Sequence, residues 1–338
     1  MTGSRAGTHA DGTGRPAGGR GSRGAARAAL VALLAGLLAL TAVPASAVAP
    51  PLSSPSIVAH FDLAAGQQPE NIAVLPDGSS VVTFSFARQV ARIDRSGGVH
   101  VLATLPAPPP GTTPPPLTGA PVVTGVARGY DGTLYVNYVA GSADLTGIWA
   151  LRPGRAPERI AALPPGGFPN GLAFDARHGY LYATDSVPGT VWRVPVHGGA
   201  PAVWASAEPL SLLTLVGANG IKVRDGAVWV TNTDRGTLLR IPVTRQGDAG
   251  PISTVASGLT GVDDFAFTGD DGTVLATLNV PNEVALVRAD GTHTIVLTAA
   301  DGLQNPTAVA VRHGTVLVTN AAYFTRVDPN LLRAHLED

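Results

Sequence analysis

Short apolar runs broken by glycine-centred turns recur along the chain, and six of them open on a polar or small residue. These openings are Glu70-Asn71-Ile72-Ala73-Val74, Thr124-Gly125-Val126-Ala127, Asn170-Gly171-Leu172-Ala173-Phe174, Asn219-Gly220-Ile221-Lys222-Val223, Asp263-Asp264-Phe265-Ala266-Phe267 and Thr307-Ala308-Val309-Ala310-Val311. Each leads through a turn into a second apolar run, which predicts short strands rich in β-branched and aromatic residues. The openings are spaced by 54, 46, 49, 44 and 44 residues. That is the size of a four-stranded propeller blade, and a repeat of this period outranks any local motif in deciding a fold. The expected fold is all-β, a six-bladed β-propeller, in which six strand starts far apart in sequence meet around one channel.

The third unit shows the pattern most clearly, with strands expected over Leu172 to Asp175, Tyr180 to Asp185, Val191 to Val196 and Ala202 to Ala205. Only three strands follow Thr307. The run from Ile57 to Leu63 is expected to supply the missing outer strand, joining the chain ends in one sheet and hiding the edges an open array would expose. Pro209 to Val216 is the only stretch expected to hold a helical turn or two. Eight prolines fall between Pro106 and Pro121. They read either as a loop folded over the channel mouth or as an exposed polyproline-like insertion.

The N-terminus follows a different pattern. Arg15, Arg20, Arg23 and Arg27 precede an apolar run from Ala28 to Val43, then Pro44 and the small-x-small site Ala45-Ser46-Ala47. The expected organisation is a signal peptide over 1–47, a short linker over 48–55 and the propeller over 56–338. An uncleaved anchor competes with this reading, but the run is shorter than the roughly 20 apolar residues a span needs. Export places the domain outside the cell or at the cell envelope, with membrane contact only through the export signal.

Composition narrows the chemistry. Without 1–47 the formal charge moves from −1 to −5, and Lys222 is the only lysine. The basic, aromatic-interleaved footprint of a nucleic-acid binder is therefore missing, and no nucleic-acid partner is expected. Cysteine is absent, which excludes disulfides, thiolate metal sites and a cysteine nucleophile. There is no Gly-x-Ser-x-Gly elbow and no His-Glu-x-x-His motif. The expected state is a monomer acting on a small molecule.

In a propeller, the loops entering the innermost strands and the loops joining second to third strands share one face. The first set offers Glu70, Thr124, Asn170, Asn219, Asp263 and Thr307. The second follows Thr184-Asp185, Thr231-Asn232 and Thr319-Asn320. Carboxylates and carboxamides gathered on an axis suit a hard cation such as Ca²⁺, Mg²⁺ or Mn²⁺. The same residue types also bond to nearby backbone and fix turns, and Asn-Gly pairs form turns in their own right. The histidines fall on the opposite face or in outer strands, and the four tryptophans lie within strands, where packing between blades is the default role.

The blade repeats, Pro169-Asn170-Gly171-Leu172, Ala218-Asn219-Gly220-Ile221 and Tyr182-Ala183-Thr184-Asp185-Ser186 resemble the senescence marker protein, gluconolactonase and luciferin-regenerating enzyme family, over about residues 56–338. The resemblance implies one divalent cation (Ca²⁺, Mg²⁺, Mn²⁺ or Zn²⁺) held by Glu70, Asn219 and Asp263, and a lactone or ester hydrolase. Asp263 would then double as the catalytic base, and Asn170 matches a position near which the family contacts substrate; Thr124 and Asn232, on the same face of the ring, are expected to contact substrate as well. Departures mark a divergent member. Asn71-Ile72 follows Glu70 in place of a small-Pro pair, Asp264-Phe265 follows Asp263 in place of glycine, and no counterpart of the family's substrate-binding arginine is found. The Pro-Glu-Asn, Asn-Gly and Asp-Asp-Phe pattern also resembles a branch with fungal biosynthetic proteins, some of which catalyse cycloadditions without a metal. A ligand-binding propeller that breaks no bond is the third reading.

Overall fold

The computed structural model describes residues 51–269 and 271–337; the expected signal peptide lies outside them, as do residues 48–50 of the expected linker. Among the described residues the regular structure is 24 strands and two short 3₁₀ turns, and the strands form six four-stranded antiparallel sheets. Blade one comprises β2 (Pro69–Val74), β3 (Ser80–Phe84), β4 (Gln89–Ile93) and β5 (Val99–Thr104). Blade two comprises β6 (Val122–Arg128), β7 (Leu134–Val139), β8 (Gly147–Leu151) and β9 (Glu158–Ala162). Blade three comprises β10 (Pro169–Asp175), β11 (Tyr180–Asp185), β12 (Thr190–Pro195) and β13 (Ala202–Ser206). Blade four comprises β14 (Ala218–Arg224), β15 (Ala227–Asn232), β16 (Thr237–Pro242) and β17 (Ser253–Ala256). Blade five comprises β18 (Val262–Phe267), β19 (Val274–Leu278), β20 (Glu283–Val287) and β21 (His293–Leu297). Blade six comprises β22 (Pro306–Arg312), β23 (Thr315–Asn320) and β24 (Asn330–Leu336), with β1 (Leu52–His60) pairing antiparallel to β24 as its outer strand.

The innermost strands touch in the order β2, β6, β10, β14, β18, β22, and β22 touches β2, so the array is a ring. Alternation along these strands explains the packing. The third residue of each opening, Ile72, Val126, Leu172, Ile221, Phe265 and Val309, is buried, and each belongs to a different apolar cluster between two blades. Full burial of one such side chain contributes roughly 1.5–3 kcal/mol, repeated at six equivalent contacts.

Glycine at the second position has a cause that the turn-former reading misses. A Cβ on Gly171 would stand 2.5 Å from the Asn219 carbonyl oxygen, and one on Gly220 would stand 2.7 Å from that of Asp263. These glycines lie within strands and let neighbouring inner strands approach near the axis. The Asn-Gly pairs are packing features of the ring.

Two local expectations are corrected. The outer strand spans Leu52–His60, so it takes in part of the expected linker and ends before Leu63. Leu52 is buried between blades five and six, while beyond His60 the Asp62 carboxylate accepts the N–H of Ala64 and Ala65 and turns the chain. The stretch from Pro209 to Val216 holds only the 3₁₀ turn Glu208–Leu210. The remainder is fixed as a loop by Asp234, whose Oδ2 accepts the N–H of Leu213, Thr214 and Leu215 at 2.7–2.8 Å. The Pro-rich segment packs on blade two: Tyr138 donates to the Pro106 carbonyl at 2.6 Å, and Gly141 lies against Thr113 and Pro115.

Candidate active site

The first and second strands of every blade slip register at the blade opening, for example between Pro69 and Asn71, between Ala218 and Ile221, and between Val262 and Phe265. Such bulges re-aim side chains, and here they carry Glu70, Asn170, Asn219 and Asp263. A threonine near the end of the second strand fills the gap. Thr83, Thr184, Thr231, Thr277 and Thr319 accept the N–H of Asn71, Gly171, Gly220, Asp264 and Ala308 respectively. Four of these hydroxyls also donate into the next blade, Thr83 to Thr124 O, Thr184 to Asn219 O, Thr231 to Asp263 O and Thr277 to Thr307 O. Neighbouring openings are thereby locked together, and in blade two Asn137 does the same for Asn170 O.

The threonines and the residues immediately after them are therefore taken up within the ring, and of the second loop set it is Ser186 and Thr233 that reach Asn170 and Asn219. Asn232 is fully buried; its Nδ2 donates to Pro209 O and Ser211 O, and its Oδ1 accepts the Arg235 N–H. It pins the loop after blade three and does not face the channel mouth as a substrate contact. Asp185 accepts the N–H of Phe168 and the Trp192 indole N–H. Thr124 donates its hydroxyl to Pro169 O at 2.7 Å, and Thr307 donates to Pro69 O at 2.9 Å. Both are turned into the ring.

Glu70, Asn219 and Asp263 do come together. Asn219 Nδ2 donates to Asp263 Oδ1 and to Thr233 Oγ1, both at 2.9 Å, which uses both amide hydrogens and leaves Oδ1 as its free end. Asn279 Nδ2 donates to Asp263 Oδ2 at 3.3 Å. Burial, then the charges of Glu70 and Asp264, hold the Asp263 carboxyl well above the usual carboxylate range. Glu70 is pushed up to about 7 by burial; the Tyr323 hydrogen bond opposes this and the Asp264 charge adds to it. Asn170 sits on the adjacent blade, its Nδ2 donating to Ser186 Oγ at 3.2 Å.

Tyr323 is the residue that sequence reasoning missed. It lies on the loop between β23 and β24 after Ala322, whose φ is +52°. Its hydroxyl donates to Glu70 Oε2 at 2.5 Å and reaches Ser85 Oγ at 2.9 Å. Burial, then the Glu70 charge, raises the phenol well above its ordinary value. Ser85 and Asn279, each two residues after a clamping threonine, also escaped notice, whereas their equivalents Ser186 and Thr233 open the expected second loop set. Their period-two relation to the repeated threonine was the available signal.

Below the mouth, Asp264 Oδ1 and Oδ2 accept the Lys222 ammonium at 2.6 and 2.7 Å, and Asn71 Nδ2 donates to Oδ2 at 3.2 Å. This strut from blades one, four and five crosses the lumen where blades two, three and six carry Gly125, Gly171 and Ala308. Cavities of about 380 and 670 Å³ lie between blades and contain none of the mouth residues.

Glu70, Asn219 and Asp263 offer two carboxylates and one carboxamide oxygen. Among the described residues no group of three His, Cys, Asp or Glu side chains forms a metal-ligating cluster, so the amide must complete the set. The set fits a hard cation, because two carboxyls crowded in a desolvated site repel one another and Asn219 Oδ1 carries no proton.

No protein-family model matches the chain, and no curated protein does. Solved structures similar to it include regucalcin, a calcium-binding protein from Agrobacterium tumefaciens (15% identity, 83% of this chain and 95% of that chain, TM-score 0.61). Another is a gluconolactonase from Xanthomonas campestris (17% identity, 85% and 95%, TM-score 0.60). A third is a catalytically inactive virginiamycin B lyase from Staphylococcus aureus with quinupristin (14% identity, 80% and 82%, TM-score 0.58). These likenesses show a common propeller fold.

Proposed function

We propose that the protein is an exported hydrolase of a small lactone or ester, working at the mouth formed by Glu70, Asn170, Asn219 and Asp263. The observation that carries this reading is the buried Asp263 carboxyl, fixed by two amide donors and raised by desolvation beside Glu70. A carboxyl whose pKa is raised in this way is a stronger base, once ionised, than an ordinary carboxylate. The likeness to a gluconolactonase and to regucalcin supports the choice.

In the proposed reaction, water attacks the carbonyl carbon while Asp263 takes its proton. The acyl C–O bond then breaks, and the proton passes to the departing alkoxide, giving a hydroxy acid from a lactone. Asn219 Oδ1 and Asn170 orient water and substrate. Tyr323 holds Glu70 in place and supplies a hydrogen bond that favours its ionised form. Glu70, Asn219 and Asp263 would hold a divalent cation, which when bound supplies charge stabilisation at the carbonyl oxygen and acidifies a water.

Elemental analysis of protein purified with and without chelator, followed by a lactone and ester panel on wild type and Asp263→Ala, tests the reading. Stoichiometric metal and an activity lost in Asp263→Ala are expected. Wild-type protein that turns over nothing on the panel, or an activity indifferent to Asp263→Ala, would remove it in favour of a binding propeller or another reaction class.

A further inference from the structure

We propose that the opposite mouth of the channel is a second, separate binding site, for a small aromatic carboxylate. The fourth position of the blade openings is alanine in five blades, at Ala73, Ala127, Ala173, Ala266 and Ala310, and lysine only at Lys222. Packing does not ask for this exception, since the same register elsewhere is filled by a methyl group. A buried ion pair is also weak evidence of a stabilising role, because desolvation offsets its Coulombic gain.

Lys222 instead presents a fixed charge to a cavity of about 500 Å³ that is lined by the inner strands of all six blades. Two of its N–H bonds go to the buried Asp264 carboxylate, which leaves one for the cavity, and the side chain remains 29% exposed. The strut formed by Asn71, Asp264 and Lys222 floors this cavity and divides it from Glu70 and Asp263.

The walls carry three basic residues, Arg128, Lys222 and Arg224, against one carboxylate in the floor, Asp264, which pairs with Lys222. Arg224 lies over the Phe267 ring at 4.5 Å and pairs with the exposed Asp225 at 3.2 Å. Arg128 forms no ion pair or side-chain hydrogen bond among the described residues, and it lies where this cavity meets the one of about 670 Å³ between blades one and two, both of which it lines. The walls are apolar, including Phe174 and Phe267, and Tyr130 at the rim is 82% exposed with its ring edge-on to Phe174 at 5.7 Å. An ammonium at the floor, arginines on the wall and aromatic rings beside them match a flat anion. The volume suits a body of one or two rings.

Titration calorimetry with 2-naphthoate, and with the uncharged 2-naphthamide as control, tests this on the purified protein. One naphthoate per chain is expected, with the amide bound at least about tenfold more weakly, ~1.4 kcal/mol. Arg128→Gln and Tyr130→Ala, both outside the core, should each weaken naphthoate by several-fold, while Glu70→Gln binds it as wild type does. Absence of saturable binding, equal binding of the amide, or binding lost in Glu70→Gln but kept in Arg128→Gln would overturn the proposal. Because Glu70→Gln reports on the other mouth, failure here leaves the hydrolase reading separately testable.

Discussion

Asn219 and Asp263, 44 residues apart, are joined by a 2.9 Å hydrogen bond from the amide of one to the carboxylate of the other. The bond links two neighbouring blades at the bulge where each opens, so it fixes the Asp263 carboxylate relative to the axis. Asn219→Ala removes one of the two amide donors that hold this carboxylate. Turnover of the best lactone should fall at least tenfold, ~1.4 kcal/mol in the barrier, with a stability loss of about 1 kcal/mol. Steady-state kinetics and calorimetric melting read the two effects; full activity in the variant would place Asn219 outside the site.

Tyr323→Phe deletes the donor to Glu70 while keeping the ring that packs edge-on against Phe86. That hydrogen bond lowers the Glu70 pKa, so its loss lets burial push the group higher still. The acid limb of the kcat/KM profile should move to higher pH, with little change in melting temperature. An unmoved limb would mean that Tyr323 only packs.

The close approach of inner strands gives a sharp stability contrast. Gly220→Ala sets a methyl 2.5 Å from Asp264 Oδ1 and 2.7 Å from the Asp263 carbonyl oxygen, both in the neighbouring blade. Crowding of this kind costs roughly 1–3 kcal/mol. Gly166→Ala meets nothing within 4 Å and has no positive φ, so it should stay within about 0.5 kcal/mol of wild type. Denaturant midpoints measured side by side decide it; equal effects would show that the inner strands have slack.

The ring and its six openings were legible in the sequence because a blade repeats every 44 to 54 residues and each repeat buries one equivalent apolar side chain, from Ile72 to Val309. That Glu70, Asn219 and Asp263 meet was legible for the same reason, since they are equivalent positions in different blades. Thr124 and Asn232 were misread because strand-end hydroxyls and amides look alike whether they face a ligand or satisfy a carbonyl in the next blade, and here the carbonyls of Pro169, Pro209 and Ser211 claim them. Tyr323 sits on an irregular loop that no repeat aligns, so its contact with Glu70, 253 residues away, exists only once the ring is assembled.

The raised Glu70 carboxyl ties stability to pH in a direction opposite to the usual salt-bridged acid. Its ordinary value is 4.5 and its folded value about 7, with burial as the main cause. Between these values the native chain keeps a proton that the unfolded chain has released. Since the native state then binds more protons, stability falls as pH rises. The contribution is fully present below about pH 4.5 and is lost as pH climbs through 7; Asp263, shifted in the same direction, adds a loss of the same sign. Melting temperatures in chelator should therefore drop between pH 5 and 8 for wild type. Glu70→Gln, which has no proton to release, should show a shallower decline, and the difference between the two curves isolates Glu70 from other titrating groups. Added Ca²⁺ or Mg²⁺ should flatten the wild-type curve, because a bound cation stabilises the ionised carboxyls that pH alone leaves uncompensated. Parallel curves for wild type and Glu70→Gln would show that this carboxyl ionises as it does in water.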